Sequence, residues 1–315
     1  MPAATSATQS SPSKSSAPAP AGAARPSDAL PPATKLDLLR QMLLIRRFEE
    51  RCMQSYMQQK IGGFCHIYIG QEALAVGTIA AMQPDDPVIT AYRDHGHALA
   101  RGMHPNYAMA ELFGKITGCA KGKGGSMHFF DKPHHMYGGH AIVGGQGPLG
   151  VGLAFATQYE HEVLKTAEPK VTACYFGDGA LNQGAIHEAM NLAAIWKLPI
   201  IFVLENNRYS MGTAINRGTA NADDMASRAK MYGMLFAEVD GMDVLNCYDT
   251  FHPLVEQVRG GAGPAFVDGQ TYRFKGHSMS DPQKYRSKEE VSEFESADPI
   301  QKLVQHLIEQ GHAKQ

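Results

Sequence analysis

The sequence lacks several features that would assign it to a protein class at once. Its five cysteines form no CxxC pair and its 14 histidines include no HExxH motif, so the common zinc frameworks are not expected. The formal net charge is only −2, which argues against a nucleic-acid partner. The longest apolar runs fall far short of a membrane span. Scattered thiols of this kind are typical of a reducing, cytosol-like compartment.

The first 34 residues differ in kind from the rest of the chain. Ala, Pro, Ser and Thr fill 27 of these positions, a composition that buries too little surface to offset the entropy of ordering. A mitochondrial transit peptide is the alternative, but only Lys14 and Arg25 are basic and prolines interrupt any helix. We therefore expect a disordered extension over residues 1–34, a single domain over 35–315, and a location in a bacterial cytoplasm rather than a mitochondrial matrix.

The rest of the chain alternates helical and strand patterns. A capping box of Thr34 and Asp37 predicts the start of the first helix, with Leu36, Leu39 and Leu43 on its buried side. The Gly-rich stretch 118–150 shows no periodicity and is expected to be a long functional loop, and 271–286 a polar loop. Strands are predicted at 88–92, 171–176, 200–204, 235–239 and 265–270, and helices at 34–59, 71–82, 105–117, 151–164, 183–197, 223–232, 243–258 and 299–310. This alternation predicts an α/β fold, a mostly parallel sheet with helices on both faces.

Two short polar runs carry the most functional information. GDGALN at 177–182 and ENN at 205–207 each follow a predicted buried strand, and a helical segment joins them. Such a unit makes the two strands parallel neighbours, so Asp178 and Asn207 should meet at their carboxyl ends, where open α/β sheets bind ligands. A carboxylate and an amide oxygen suit Mg²⁺, which completes its shell with water and phosphate oxygens. The plainer interpretation is two ordinary Gly/Asn turns.

The GDG and NN runs resemble the metal–diphosphate motif of thiamine diphosphate enzymes. Four further segments match one family of these enzymes, the alpha subunits of the decarboxylating first component of pyruvate dehydrogenase, of the two-subunit type. The resemblance covers about residues 35–310. The four segments are GFCHIYIGQEA at 63–73, YRDHG at 92–96, KGKGGSMH at 121–128 and GHSMSDP at 276–282.

The resemblance implies a set of cofactor contacts. Asp178, Asn207 and the backbone carbonyl of Tyr209 would hold Mg²⁺. Gly179 and Ala180 are expected to start the crossover helix, whose free N–H groups favour an anion. The remaining contacts with thiamine diphosphate would come from Tyr92, Arg93, Ile142, Val143, Arg273 and His277, although the family usually has Gly where this chain has Ala141.

Two histidines are the candidate catalytic residues. By the resemblance, His66 faces the reacting carbon of the 2-oxo acid, and His277 lies at the diphosphate. The plainer interpretations are a buried, hydrogen-bonded histidine for His66, a solvated loop histidine for His277 and a surface cation for Arg93. The family also implies an α2β2 assembly with a beta subunit, decarboxylation of pyruvate, and transfer of the two-carbon unit to the lipoyl domain of the dihydrolipoyl acyltransferase component.

Three rival functions fit parts of the sequence less well. The alpha subunit of a branched-chain 2-oxo acid or acetoin dehydrogenase is the nearest alternative, but GHSMSDP resembles the pyruvate form more closely. A nicotinamide site is suggested only by GQGPLG at 145–150, which contains Pro148 and has neither a predicted strand before it nor a correctly spaced acid after it. The Gly-rich run from Lys121 lacks the ending of a phosphate loop and predicts a mobile turn. A non-catalytic scaffold would be expected to have lost Asp178, Asn207 or His66.

Overall fold

The computed structural model describes residues 24–314, and its centre is a parallel β-sheet. Six strands form this sheet in the order β2-β1-β3-β4-β8-β7, and each pairing between neighbours is parallel. The other two strands form a small antiparallel pair. The strands are β1 (Val88–Ala91), β2 (Met136–His140), β3 (Thr172–Gly177), β4 (Ile200–Asn206), β5 (Tyr209–Ser210), β6 (Thr213–Ala214), β7 (Leu235–Asp240) and β8 (Ala265–Gln270).

Helices cover both faces of the sheet, as the alternating pattern predicted. They are α1 (Pro32–Met57), α2 (Glu72–Ala80), α3 (His95–Ala100), α4 (Pro105–Leu112), α5 (Gln146–Tyr159), α6 (Gly184–Trp196), α7 (Ile215–Gly218), α8 (Ala226–Met231), α9 (Val244–Gln257), α10 (Lys288–Ser296) and α11 (Pro299–Glu309). Helices α5, α6 and α8 contribute to one core, whereas α1, α2, α3, α9 and α11 contribute to the other. No helix within residues 24–314 combines the length and the apolar character that a membrane crossing requires.

The central strands supply side chains to both cores in strict alternation. On β3, Ala173 and Tyr175 belong to the core beneath α2 and α9, while Cys174 and Phe176 belong to the core beneath α5 and α6. Successive side chains of a strand point to opposite faces of its sheet, so a strand with helices on both sides must be apolar throughout. This explains why the strand runs were continuous and were recognisable from the sequence.

The predicted disorder of residues 1–34 is wrong for the part that the structure describes. A 3₁₀ turn forms at Pro26–Ala29, and α1 begins at Pro32. Ser27 is buried, and its N–H and hydroxyl donate to the carboxylate of Asp249 at 2.5 and 2.8 Å. Residues 1–23, the remainder of that prediction, lie outside the described residues.

The start and the buried face of α1 also differ from prediction. The helix begins two residues earlier, with Pro31 as its N-cap and no side-chain cap, so Thr34 and Asp37 form no capping box. A proline at the helix start needs no hydrogen-bond partner for its nitrogen, which explains the shift. The buried side consists of Leu38, Met42, Ile45, Phe48 and Cys52, whereas Leu36 and Leu43 are exposed and Leu39 is half-buried.

The Gly-rich stretch 118–150 is not one long loop. It contains strand β2, with sequence MYGGH, and the first turn of α5, which starts at Gln146 rather than at Val151. Two glycines in an edge strand remove the usual β-branched signal. Pro148 is tolerated because the first helical turn has no internal partner for its N–H groups. Since β2 precedes GQGPLG, the missing strand is not a valid reason to reject a dinucleotide loop there.

The strand order creates a crevice at one point of the sheet. The chain leaves the carboxyl end of β1 toward β2, on one side, and leaves β3 toward β4, on the other. Where neighbouring strands send their connections in opposite directions, the loops separate and expose a cleft that α/β proteins use for ligands. The loops that follow β1, β3 and β4 therefore border the candidate site.

Candidate active site

The predicted strand–helix–strand unit is present. Strands β3 and β4 are parallel neighbours, paired from Thr172 with Ile200 to Gly177 with Glu205. Asp178 follows the last pair by one residue and Asn207 by two, so both lie at the same edge of the sheet. Both side chains are buried.

The turn after β3 differs from the predicted helix start. Asp178–Ala180 is a 3₁₀ turn, and α6 begins only at Gly184, so Gly179 and Ala180 do not open the crossover helix. The hairpin of β5 and β6 covers this turn, because a Cβ added to Gly179 would collide with the hydroxyl of Ser210. Glycine is therefore required for the close approach, which places Tyr209 next to the turn that carries Asp178.

Three hydrogen bonds orient the amide of Asn207. Its Oδ1 accepts from the backbone N–H of Tyr209 at 3.3 Å and from Arg273 at 3.4 Å. Its Nδ2 donates to Oε1 of Gln71, also at 3.3 Å. These bonds fix which side of the amide is the oxygen and direct it toward Tyr209 and the guanidinium.

Burial and a nearby cation have opposite effects on the pKa of Asp178. Burial raises the pKa of Asp178 to about 6, and the guanidinium of Arg273 opposes this shift by favouring the carboxylate. Arg273 is almost fully buried and donates to the carbonyl of Lys275 at 3.1 Å and to the hydroxyl of Tyr285 at 3.2 Å. A buried carboxylate in this environment is stabilised when a cation binds beside it.

Arg93, at the end of β1, links two other segments of the site. It is buried rather than a surface cation, and it donates to the carbonyls of Ile67 at 2.8 Å and His277 at 2.7 Å. Burial and the nearby charge of Arg273 lower the pKa of Arg93 to about 10. Two guanidiniums therefore sit in one buried region, an arrangement that an anion would stabilise.

His66, Tyr92 and His277 form an aromatic cluster beside Arg93. The ring centroids of His66 and Tyr92 are 4.7 Å apart, and those of His66 and His277 are 5.3 Å apart. Burial, followed by the charge of Arg93, lowers the pKa of His66 to about 2 and that of His277 to about 4. Both imidazoles are therefore neutral at physiological pH.

Each imidazole has an unused nitrogen. Among the described residues, no protein group hydrogen-bonds to the buried Nδ1 of His66 or to that of His277. His66 is thus not the fully satisfied core histidine of the plainer interpretation, and His277 is half-buried rather than solvated. Buried polar atoms without partners are uncommon and indicate a place where a ligand or water binds.

Ile142 and Val143 follow strand β2 and have exposed side chains, with 79% and 44% of their surface accessible. Their loop packs toward the crossover helix, because a Cβ on Gly144 would lie 3.0 Å from the Cβ of Gln183. This places both residues at the carboxyl edge of the sheet.

Residues 271–286 contain no helix or strand, as predicted, but their first part is not a polar surface loop. Residues 271–274 are buried, and Tyr272 stacks on Phe294 with ring centroids 3.9 Å apart. Arg286 donates to the carbonyls of Arg273 at 2.5 Å and Lys275 at 2.8 Å, which closes the loop on itself. The loop thereby presents His277 to the cluster around His66.

Gln71 and Glu205 are site residues that were not predicted from the sequence. Gln71 holds Asn207, and Glu205 accepts a hydrogen bond from the hydroxyl of Tyr68 at 2.5 Å. Both residues occur in the quoted motifs, GFCHIYIGQEA and ENN, and their polarity within apolar runs was the available signal.

The parallel sheet, the cleft at its topological switch and the polar residues that border it define an α/β protein with a ligand site at the carboxyl edge of its sheet, and the family match that follows places it in the thiamine diphosphate-dependent class. A family model described as the dehydrogenase E1 component matches residues 40–315, and the chain belongs to this family.

Named relatives cover most of the chain. A pyruvate dehydrogenase E1 component subunit alpha from Rhizobium meliloti (strain 1021) is 51% identical over 279 residues, which is 88% of this chain and 78% of that protein. The subunit of the same name from Zymomonas mobilis is 51% identical over 278 residues, covering 88% and 77%. A chloroplastic form from rice, subunit alpha-3, is 44% identical over 281 residues, covering 88% and 66%.

Proposed function

We propose that this chain is the alpha subunit of pyruvate dehydrogenase (acetyl-transferring). With a beta subunit it would carry out the thiamine diphosphate-dependent oxidative decarboxylation of pyruvate and the reductive acetylation of a lipoyl group. The observation that carries the proposal is the set of polar groups at the β1/β3 cleft, at the positions of the family motifs. The names of the relatives support the choice of pyruvate.

The metal site would consist of Asp178, Asn207 and the carbonyl of Tyr209. Three oxygens of these types suit Mg²⁺, which leaves its remaining positions to water and diphosphate oxygens. The orientation of the Asn207 amide and the close packing of the β5 hairpin on the Asp178 turn support this assignment.

The diphosphate would lie between the metal and the two buried guanidiniums of Arg93 and Arg273. Within residues 24–314 neither guanidinium forms a salt bridge with a carboxylate, and a diphosphate would supply the anion that such paired, buried cations need. Gly179 and Ala180 would contact the same group through their backbone. Tyr92 and His277 would border it, and Ile142 and Val143 would support the cofactor from the β2 side.

His66 would act on the substrate, with His277 next to it. A neutral imidazole carries one N–H donor and one acceptor nitrogen, so His66 would hydrogen-bond to the oxygens of a 2-oxo acid as their charge changes and relay protons there. Thiamine diphosphate, when bound, supplies the nucleophile and the electron sink of the decarboxylation. The protein would hold the substrate, orient it and move protons at the imidazole nitrogens.

The chain would provide only the diphosphate half of the active site. We propose that 35–315 forms this half-domain, and that a beta subunit in an α2β2 assembly supplies the acid for the aminopyrimidine. The lipoyl domain of the dihydrolipoyl acyltransferase component would then receive the acetyl group. The bacterial relatives support a bacterial cytoplasmic location.

Replacement of Asp178 tests the metal site. Asp178→Ala should weaken thiamine diphosphate binding by about 10- to 100-fold, the size of effect typical of groups that position a metal, with little loss of fold stability. Calorimetry of cofactor binding to the assembled enzyme in the presence of Mg²⁺ measures this.

Asp268→Ala is the matched control. Asp268 is also buried with a pKa raised to about 6 by burial, but it lies on β8 and accepts from Asn206 and Gln270. This control should lose stability and keep its cofactor affinity. Unchanged affinity in Asp178→Ala would remove Asp178 from the metal site.

Limited proteolysis tests the loop at 271–286. Lys275 and Lys284 are partly or fully exposed within it, so trypsin should cut there in the cofactor-free enzyme. Thiamine diphosphate with Mg²⁺ should suppress this cleavage, because contacts from the loop to a diphosphate offset the entropy of ordering it. Cleavage at equal rates in both states would show that the loop does not respond to the cofactor.

A further inference from the structure

A series of hydrogen-bonded, buried polar residues fixes the backbone of His66. The carboxylate of Glu49 lies 3.0 Å from Nδ1 of His95, and Nε2 of His95 lies 3.0 Å from the hydroxyl oxygen of Ser126. That oxygen accepts the backbone N–H of His66 at 3.2 Å. Glu49 also accepts the backbone N–H of Tyr68 at 2.8 Å. These hydrogen bonds therefore fix the backbone at His66 and at Tyr68.

The ring of His95 has a hydrogen-bond partner at each of its two nitrogens. Glu49 and His95 are fully buried. Although burial opposes a charged imidazole, the adjacent carboxylate of Glu49 raises the pKa of His95. The ring of His95 thus bridges the carboxylate of Glu49 at Nδ1 and the hydroxyl of Ser126 at Nε2, and the serine oxygen in turn accepts the backbone N–H of His66. Buried polar pairs of this kind add little net stability even when both groups are charged, so geometry is the better explanation for this one.

A second carboxylate holds the segment that carries Ser126. Glu111 is fully buried, and its two oxygens accept backbone N–H groups of the Gly-rich run just before Ser126. These donors are Ala120 at 2.7 Å, Gly122 at 2.9 Å, Gly124 at 2.6 Å and Gly125 at 3.2 Å. The run thus wraps an internal anion, as backbone nests do. The KGKGG motif is explained by this role, which needs no external phosphate.

The side chain of His66 depends on its backbone for its position. Within residues 24–314, its Nδ1 has no hydrogen-bond partner, and its ring lies beside the rings of Tyr92 and His277. Contacts between rings define distance but leave the direction of the nitrogens weakly fixed. A shift of the backbone at 66 would therefore move the imidazole directly.

We propose that Glu49, His95 and Ser126 form a brace that sets the position of His66 for reaction, with Glu111 holding Ser126 in place. These are positioning residues and touch neither substrate nor cofactor. The proposal rests on the proposed function, since it takes His66 to act on the 2-oxo acid.

Ser126→Ala in the assembled enzyme tests the brace. It removes one oxygen, leaves the His66 N–H without its acceptor, and should raise the hydrogen-exchange rate of that amide roughly tenfold. Turnover of pyruvate should fall by roughly 10- to 100-fold, the effect of a misplaced catalytic group, while cofactor affinity stays within about twofold. Glu49→Gln, which keeps an acceptor for the Tyr68 N–H, should retain more turnover than Glu49→Ala.

Thr157→Val is the control for loss of a buried hydroxyl. Among the residues that the structure describes, the hydroxyl of Thr157 bonds only to the carbonyl of Ala154 within α5, so both exchange at His66 and turnover should stay at the wild-type level. Unchanged exchange in Ser126→Ala, or faster exchange with normal turnover, would overturn the brace. Absence of 2-oxo acid turnover in the wild type would instead refute the proposed function, and exchange at His66 alone would then decide whether the brace exists.

Discussion

The purified chain alone should show no decarboxylation of 2-oxo acids, and addition of the beta subunit should restore it. The site residues border a single cleft, and the one large sheet and its helices use nearly all of residues 24–314. No second α/β domain within the described residues remains to enclose the aminopyrimidine. We therefore expect the loss to be complete rather than partial, measured as CO₂ release with thiamine diphosphate and Mg²⁺ present.

The surface of the chain supports the need for a partner. Phe155, Tyr159 and Trp196 are close to half-exposed, and the ring of Phe155 packs against each of the other two, with Ile195 still more exposed next to Trp196 in the sequence. Contiguous apolar surface of this kind marks a protein interface, and obligate interfaces are large and apolar. Circular dichroism of the lone chain provides the control, because inactivity counts only if the chain is folded. Robust turnover by the folded lone chain would contradict the division between two subunits.

His66→Ala should lower the rate of acetyl transfer to a lipoyl domain by about 10²–10⁴-fold, the range for loss of a positioned acid–base group. Cofactor affinity should stay near normal, because the contacts proposed for the diphosphate come from other residues. The measurement pairs a single-turnover acetylation assay with calorimetry of cofactor binding.

His187→Ala is the matched control for this substitution. His187 is half-buried on α6 and hydrogen-bonds to the hydroxyl of Tyr232, so its removal should cost some stability and no rate. A fall of less than about tenfold in His66→Ala would make His66 a structural residue and not a catalytic one.

The sequence was most informative where each strand was buried on both faces. The unit from β3 to β4 was predicted because its strands are uninterrupted apolar runs and its turns are polar. In contrast, β2 is an edge strand of five residues with two glycines, and its propensity signal was too weak to detect. The short helices α3 and α10 were also not predicted. Helix α3 begins within the YRDHG motif, and α10 has no fully buried side chain to mark an apolar face.

The candidate site was predictable in its parts but not in its assembly. Strand ends placed Asp178 and Asn207 together from pattern alone, whereas His66, Arg93 and His277 were chosen by resemblance. Their proximity depends on the path of two loops, which the guanidinium of Arg93 helps to join through their backbone carbonyls. No periodicity in a sequence reports contacts of that kind. The proposed brace of His66 could not be predicted from the sequence for the same reason.

The most direct test of this account is a substrate comparison on the reconstituted alpha–beta enzyme. Decarboxylation of pyruvate should be compared with decarboxylation of a branched 2-oxo acid and with C–C bond cleavage of acetoin, each with and without thiamine diphosphate and Mg²⁺. We expect strictly cofactor-dependent turnover with pyruvate as the preferred substrate. Preference for the branched acid or for acetoin, or turnover that persists without the cofactor, would contradict the account.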